Sequence, residues 1–230
     1  GDGGAENTLY KICKYDSVNE HIIISLKRAD KYSLLLKKIG IKVYHLNMKF
    51  YSILNFFYLT KLLRFLKPNI VQTWLVHGDL IGGIAAKLSG FHNIVWNIRY
   101  SNLEIKKTNL INLLLIKLLA KLSFYIPKLI IVVSASTKRN CKDLGYHKKK
   151  MFLIPNGYDL SILKPSKNKR LHFRKRFKIK KKTTIIGNVA RYDPMKDHAN
   201  LLMALSLIQK QNIDFFCILV GSNVDTKNMK

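Results

Sequence analysis

Short runs of Ile and Val recur along this 230-residue chain between stretches whose apolar residues fall at helical spacing, and that alternation constrains the fold more than any other feature. Runs of four to six apolar, β-branched residues suit buried strands. Strands that alternate with helices imply βαβ units and a parallel sheet. The predicted strands are HIIISL, KVYHL, IVQTW, IVWNI, LIIVVSA and FLIP, followed after residue 182 by TTIIGNVA and DFFCILVG. Predicted helices cover residues 5–15, 30–39, 52–66, 78–89, 107–125 and 136–144, with a later one in HANLLMALSLIQKQ. Three of them run into glycine, in KKIG, KLSG and KDLG, where a residue free to adopt the left-handed conformation closes a helix. Apolar periodicity fades after IPNG. The expected organisation is therefore an α/β domain over residues 1–157, a basic linker and helix over 158–182, and the start of a second α/β domain over 183–230.

Hydrophobic residues make up 48% of the chain, which excludes a disordered protein. The charge is lopsided: 41 Lys and Arg stand against 13 Asp and Glu, for a net +28. Such a surface attracts polyanions, whether nucleic acid, anionic lipid or phosphorylated substrates, although 33 Lys to 8 Arg also fits a plain lysine bias. Cys13, Cys141 and Cys217 are scattered and form neither a disulfide framework nor a metal-binding spacing. A reducing, cytoplasmic setting is the corresponding expectation. The most apolar stretch, residues 109–133, is interrupted by Lys117, Lys121, Pro127 and Lys128. It reads as a buried helix followed by a strand, with an interfacial helix as the alternative.

Four stretches could carry chemistry. In RYDPMKDH, Arg191 and Lys196 follow a strand and precede a helix, where cations and free helix N–H groups can bind a diphosphate; Asp193 and Pro194 alternatively make a helix cap and nothing more. In QTWLVHGDLIGGIAAKLSG, His77 and Asp79 follow a strand, and the small residues Gly82, Gly83, Ala85 and Ala86 suit a helix packed tightly on a sheet. A histidine there could contact a sugar hydroxyl or move a proton, or simply belong to a capping turn. In WNIRYSNLE, Arg99, Ser101 and Asn102 sit at another strand end. Asn156 and Gly157 form a tight exit suited to a hinge or to an ordinary surface turn.

Taken in order, GGAEN, QTWLVHGDLIGGIAAKLSG, VWNIRYSNLE, VVSASTKRNCKDLGY, IPNGYDLSILKP and GNVARYDPMKDHANLLMAL resemble the retaining glycosyltransferases of family four, which have two facing Rossmann-like domains of the GT-B type. The Trp74-to-Glu104 region is most similar to members that build bacterial cell-surface polysaccharides, including lipopolysaccharide. The resemblance implies a nucleotide-sugar donor as co-substrate, with no separate cofactor and no metal, and transfer of a hexose to a saccharide or lipid-linked acceptor. It implies a donor diphosphate held by Arg191 and Lys196 with the glycine loop of Gly3 and Gly4, and an interdomain hinge at Asn156 and Gly157. His77 and Asp79 become candidate catalytic residues, with Arg99 and Asn102 on the acceptor side. Cations placed where the leaving diphosphate gains charge would favour the transition state.

Two departures accompany the resemblance. Arg99 and Tyr100 stand where many relatives have a sugar-contacting histidine, and the acidic pair that grips the donor sugar falls after residue 230. The expectation is a fragment that lacks the first strand of its first domain, has a truncated second domain and is inactive as it stands. Contact with the anionic inner face of a membrane is also expected. Nucleic acid is not an expected partner, since the aromatic residues are not interleaved with the lysines. The rival readings are a noncatalytic nucleic-acid-binding module and another nucleotide-sugar enzyme of the same fold, such as an epimerase.

Overall fold

The computed structural model describes residues 3–48, 53–99 and 110–225. Two compact units divide the chain, Gly1–Gly157 and Tyr158–Lys230.

The first unit runs α1 (Gly4–Tyr15), β1 (Ile22–Ser25), α2 (Lys31–Lys38), β2 (Lys42–His45), α3 (Ile53–Leu66), β3 (Val71–Trp74), a short α4 (Leu75–His77), α5 (Gly83–Leu88), β4 (Ile94–Ile98), α6 (Leu110–Leu122), β5 (Leu129–Val132), α7 (Ala135–Asp143) and β6 (Met151–Leu153). The second unit runs α8 (Lys167–Arg176), β7 (Thr184–Val189), α9 (His198–Lys210) and β8 (Phe215–Val220). Every strand pairing among the described residues is parallel. β1 pairs with β2, β3 to β6 form a four-stranded sheet in chain order, and β7 pairs with β8. This is the α/β architecture that the alternation of strand and helix predicts. Gly40, Gly90 and Gly145 end α2, α5 and α7 with φ of 82°, 90° and 88°, so the three glycine stops do what their chemistry suits them for.

β4 lies inside the four-stranded sheet, and Ile94, Trp96 and Ile98 on it are wholly buried. They pack with Ile130 and Val132 of β5, Ala85 and Ala86 of α5, and Ile116 and Leu119 of α6. Each large side chain contributes on the order of 1.5–3 kcal/mol by leaving water. The small residues of α5 allow its close approach to β4. A Cβ at Gly83 would lie 2.8 Å from the Trp96 indole nitrogen and 3.3 Å from Ile126. α3 and α6 carry apolar residues on both their inner and outer faces; they bury Leu62, Leu63, Ile116 and Leu119 inward and expose Phe57, Phe65, Leu110 and Leu114 outward.

The helix predicted over 78–89 starts earlier, at Leu75, and is divided into three segments. Leu75 leaves β3 with a left-handed φ of 66°, α4 makes one turn, residues Gly78–Gly82 form a π-helical turn, and only then does α5 begin. Wider turns of this kind accommodate an extra residue within a helix. Here the turn carries Asp79 into the core.

Candidate functional site

In open parallel α/β sheets, ligands gather beyond the carboxyl ends of the strands. In the first unit those ends carry Trp74, Arg99 and Asn156, which the structure brings together. Arg99 follows β4 directly. Its Nε donates to Asn97 Oδ1 at 2.8 Å, its Nη1 donates to Asn156 Oδ1, and the guanidinium lies 4.6 Å from the centre of the Trp74 ring. Asn97 and Arg99 are two residues apart on an extended segment and share a face. Register places Trp74 opposite Asn97 on the neighbouring strand. Arg99 is half-buried, and loss of solvent pulls its pKa below the ordinary arginine value. Among the described residues no carboxylate pairs with it. Asn102 lies outside the described residues.

His77 and Asp79 part company. His77 is exposed on α4, whereas Asp79 is 1% exposed and points inward. Thr73 Oγ1 lies 2.6 Å from Asp79 Oδ1, and the Asn97 backbone N–H also donates to the carboxyl. Burial raises the Asp79 pKa to about 8 despite these hydrogen bonds, so the group is mostly protonated at neutral pH. Thr73 Oγ1 is also 3.4 Å from the Val95 carbonyl. The Thr73 hydroxyl donates to Asp79 Oδ1 and so ties the carboxyl to the end of β3. The expectation of a catalytic Asp79 is corrected: its carboxyl is sealed in the core and ties the β3 exit to β4. Cys141 is also fully buried, and desolvation, reinforced by Asp79, pushes its thiol up to about 12.

Gly3 and Gly4 open α1. Gly3 is the extended residue before the helix, where a Cβ would run into the Glu6 side chain, and Gly4 begins the helix in open space. Asn156 and Gly157 are exposed and end the first unit.

In the second unit, Arg191 and Lys196 lie in the turn between β7 and α9. Arg191 Nε and Nη2 both donate to Asp193 Oδ2, at 3.0 and 2.8 Å. Asp193 Oδ1 accepts the Met195 N–H at 2.9 Å, capping the short 3-10 turn Pro194–Lys196. That backbone bond, with Arg191 and Lys196 close by, lowers the Asp193 pKa. Asp197 then takes a left-handed φ of 50°, and its side chain caps α9 at Asn200. The Arg191 turn is fastened to the exit of β8: Ala190 N–H donates to Val220 and Tyr192 N–H to Ser222, both at 2.9 Å. At this closure a Cβ on Gly221 would fall far inside the van der Waals limit of the Ala190 carbonyl oxygen, so only glycine fits. Gly221, Trp74 and Asn97 were not singled out by the sequence. Asn97 alone had a signal there, as a polar residue on a buried strand two positions before Arg99.

Among the described residues no group of three or more His, Cys, Asp or Glu is gathered for a metal ion, and no helix is long and apolar enough to cross a membrane.

Solved glycosyltransferases share this fold at low sequence identity. HepE of Anabaena, crystallised in complex with UDP-glucose, aligns with a TM-score of 0.80 at 18% identity, over 100% of this chain and 60% of its own. A glycosyltransferase from Rickettsia africae gives 0.73 at 20% identity, over 99% and 59% of the two chains. The lipopolysaccharide outer core galactosyltransferase WaaB gives 0.64 at 18%, again over 99% and 59%. The chain thus spans about three fifths of the length of these structures. A comparison with curated protein sequences gave no match. The family model described as Glycosyltransferase Family 4 matches residues 2–162, nearly all of the first unit and well over half of the chain. With two parallel α/β units of the corresponding fold, the chain belongs to glycosyltransferase family 4.

Proposed function

We propose that the protein to which this chain belongs transfers a hexose, with retention, from a nucleoside-diphosphate sugar to a saccharide acceptor in cell-surface polysaccharide synthesis. The observation that carries the donor side is the pair of cations, Arg191 and Lys196, in the turn between β7 and α9. A diphosphate there meets the Arg191 and Lys196 side chains, the former shared with Asp193, and the amino end of a 13-residue helix. In the first unit, Gly3 and Gly4 would offer backbone N–H groups to a ligand, Arg99 and His77 would face the acceptor, and Asn156 and Gly157 would serve as the hinge. HepE, whose structure holds UDP-glucose, supports a UDP-sugar as donor.

A lipid-linked acceptor is supported by surface chemistry. The outward faces of α3 and α6 expose Phe57, Phe65, Leu110 and Leu114 near Lys61, Lys117 and Lys121. In the second unit a cleft of about 440 Å³ is lined by Arg170, Arg174, Lys181 and Lys182. Apolar side chains beside lysines suit a peripheral contact with anionic lipid at the inner face of a membrane.

The donor reading is tested by titrating the chain with UDP. Replacing both cations, Arg191→Gln with Lys196→Gln, is expected to weaken binding at least tenfold, as loss of charge-assisted hydrogen bonds of about 1.5–3 kcal/mol requires. Unchanged affinity would reject the site. Membrane contact is tested by sedimentation with anionic and neutral vesicles at low salt, with binding expected only to the former.

A further inference from the structure

We infer that Arg99 forms an oxyanion-binding subsite in the first unit, built to receive a phosphate or carboxylate group carried by the acceptor. Its charge is held in place and meets no carboxylate among the described residues. A guanidinium has five N–H groups. Nε donates to Asn97 and Nη1 donates once to Asn156, so one N–H of Nη1 and both of Nη2 have no partner among the described residues. Nη2, with both of its N–H groups, is the part of the guanidinium left to donate to a carboxylate or phosphate, joined by the second N–H of Nη1.

Three neighbours fix that fork. The Trp74 ring covers one face, Asn97 holds the stem at the end of β4, and Asn156 holds the head from the chain leaving β6. Asn97 is 1% exposed, so its amide is a rigid anchor. All three partners are neutral. A structural arginine in a half-buried position usually meets a carboxylate, because partial burial of a charge is costly until it is paired. Here the partners among the described residues are amide oxygens, which orient the charge and carry none of their own. Arg191 differs in this respect, since its Nε and Nη2 both donate to the carboxylate of Asp193. The position is also at the carboxyl end of a central parallel strand, where ligands collect.

The assignment of the anion to the acceptor rests on the proposed function; the existence of the subsite does not. Its test uses the fluorescence of Trp74, which the bound guanidinium overlies. The other tryptophan, Trp96, is sealed in the core. The full chain is titrated at constant ionic strength with sodium pyrophosphate and, separately, sodium glucuronate. A saturable change with at least one of them is expected, and the one that binds identifies phosphate or carboxylate as the group received. Arg99→Gln should weaken that response tenfold or more. Asn156→Asp, at an exposed position, keeps the arginine but sets a carboxylate against it and should also suppress binding. Arg191→Gln should leave the Trp74 response intact while weakening UDP. No saturable response in the unaltered chain, or equal titrations for it and either Arg99→Gln or Asn156→Asp, would overturn the subsite. Failure of UDP to bind, with the Trp74 response preserved, would reject the proposed donor site and leave this one standing.

Discussion

The exits of β3 and β7 both turn from a parallel strand toward a helix, and each carries an aspartate close behind the strand, yet the two carboxyls live under opposite electrostatics. Asp79, five residues after Trp74, is drawn into the core by a π-helical turn and has its pKa raised to about 8 by burial. Asp193, four residues after Val189, stays at the surface, accepts a backbone N–H and two arginine N–H groups, and has its pKa lowered. Position after a strand does not assign a role. What assigns it is whether the turn sends the side chain toward the core or toward solvent.

The largest effect should come from breaking the β7 exit itself. Gly221→Ala places a methyl group against the Ala190 carbonyl, a backbone atom that cannot rotate aside. Overpacking of this kind costs about 3 kcal/mol. Urea unfolding should report that loss. UDP binding should fall as well, because the same closure fastens the Arg191 turn. Preserved stability and binding would mean that the two strand exits are not coupled.

The β3 exit is broken next by Asp79→Ala, which removes the partner of the Thr73 hydroxyl and the Asn97 N–H inside the core. A loss of about 2 kcal/mol is expected. Asp79→Asn sharpens the comparison through pH. A carboxyl that titrates near 3.8 in the unfolded chain and about 8 when folded holds a proton in the folded state that the unfolded chain releases. Its contribution is fully present below pH 4 and is lost as pH rises through 8. Stability measured by urea unfolding should fall between pH 5 and 8 in the unaltered chain. That slope should flatten in Asp79→Asn. Identical slopes would show that Asp79 is ionised in the folded protein.

This difference between the two exits also marks how far the sequence could be read. Strands and helices were legible because Ile and Val runs and left-handed glycines act locally: Gly40, Gly90 and Gly145 stop their helices without help from distant residues. The small residues at 82–86 announced a helix packed against the sheet, and Trp96 is the residue that meets it. The direction of Asp79 was not legible, since it depends on the left-handed Leu75 and the π-helical turn, neither of which has a composition of its own. The Arg99 cluster was half legible. Asn97 and Arg99 share a strand face by spacing, but Trp74 and Asn156 join them only through the register of neighbouring strands and the path of the chain after β6.

The smallest effect concerns the pairing at the β7 exit. Arg191 spends two of its N–H groups on Asp193, so a diphosphate arriving there must share the arginine with a resident carboxylate. Asp193→Asn keeps a side-chain oxygen to accept the Met195 N–H and removes the negative charge. Two unit charges about 4 Å apart in water interact by roughly 1 kcal/mol, and less with added salt. UDP affinity should therefore rise about threefold at 50 mM salt, and the gain should shrink at 500 mM (both on the order of ordinary assay conditions). Because the Asp193 pKa is already lowered, the gain should persist across neutral pH. Weaker binding in Asp193→Asn would reverse the interpretation: the carboxylate would then aim Arg191 at the diphosphate, and the two exits would differ in what their aspartates hold in place, with neither one competing with the ligand.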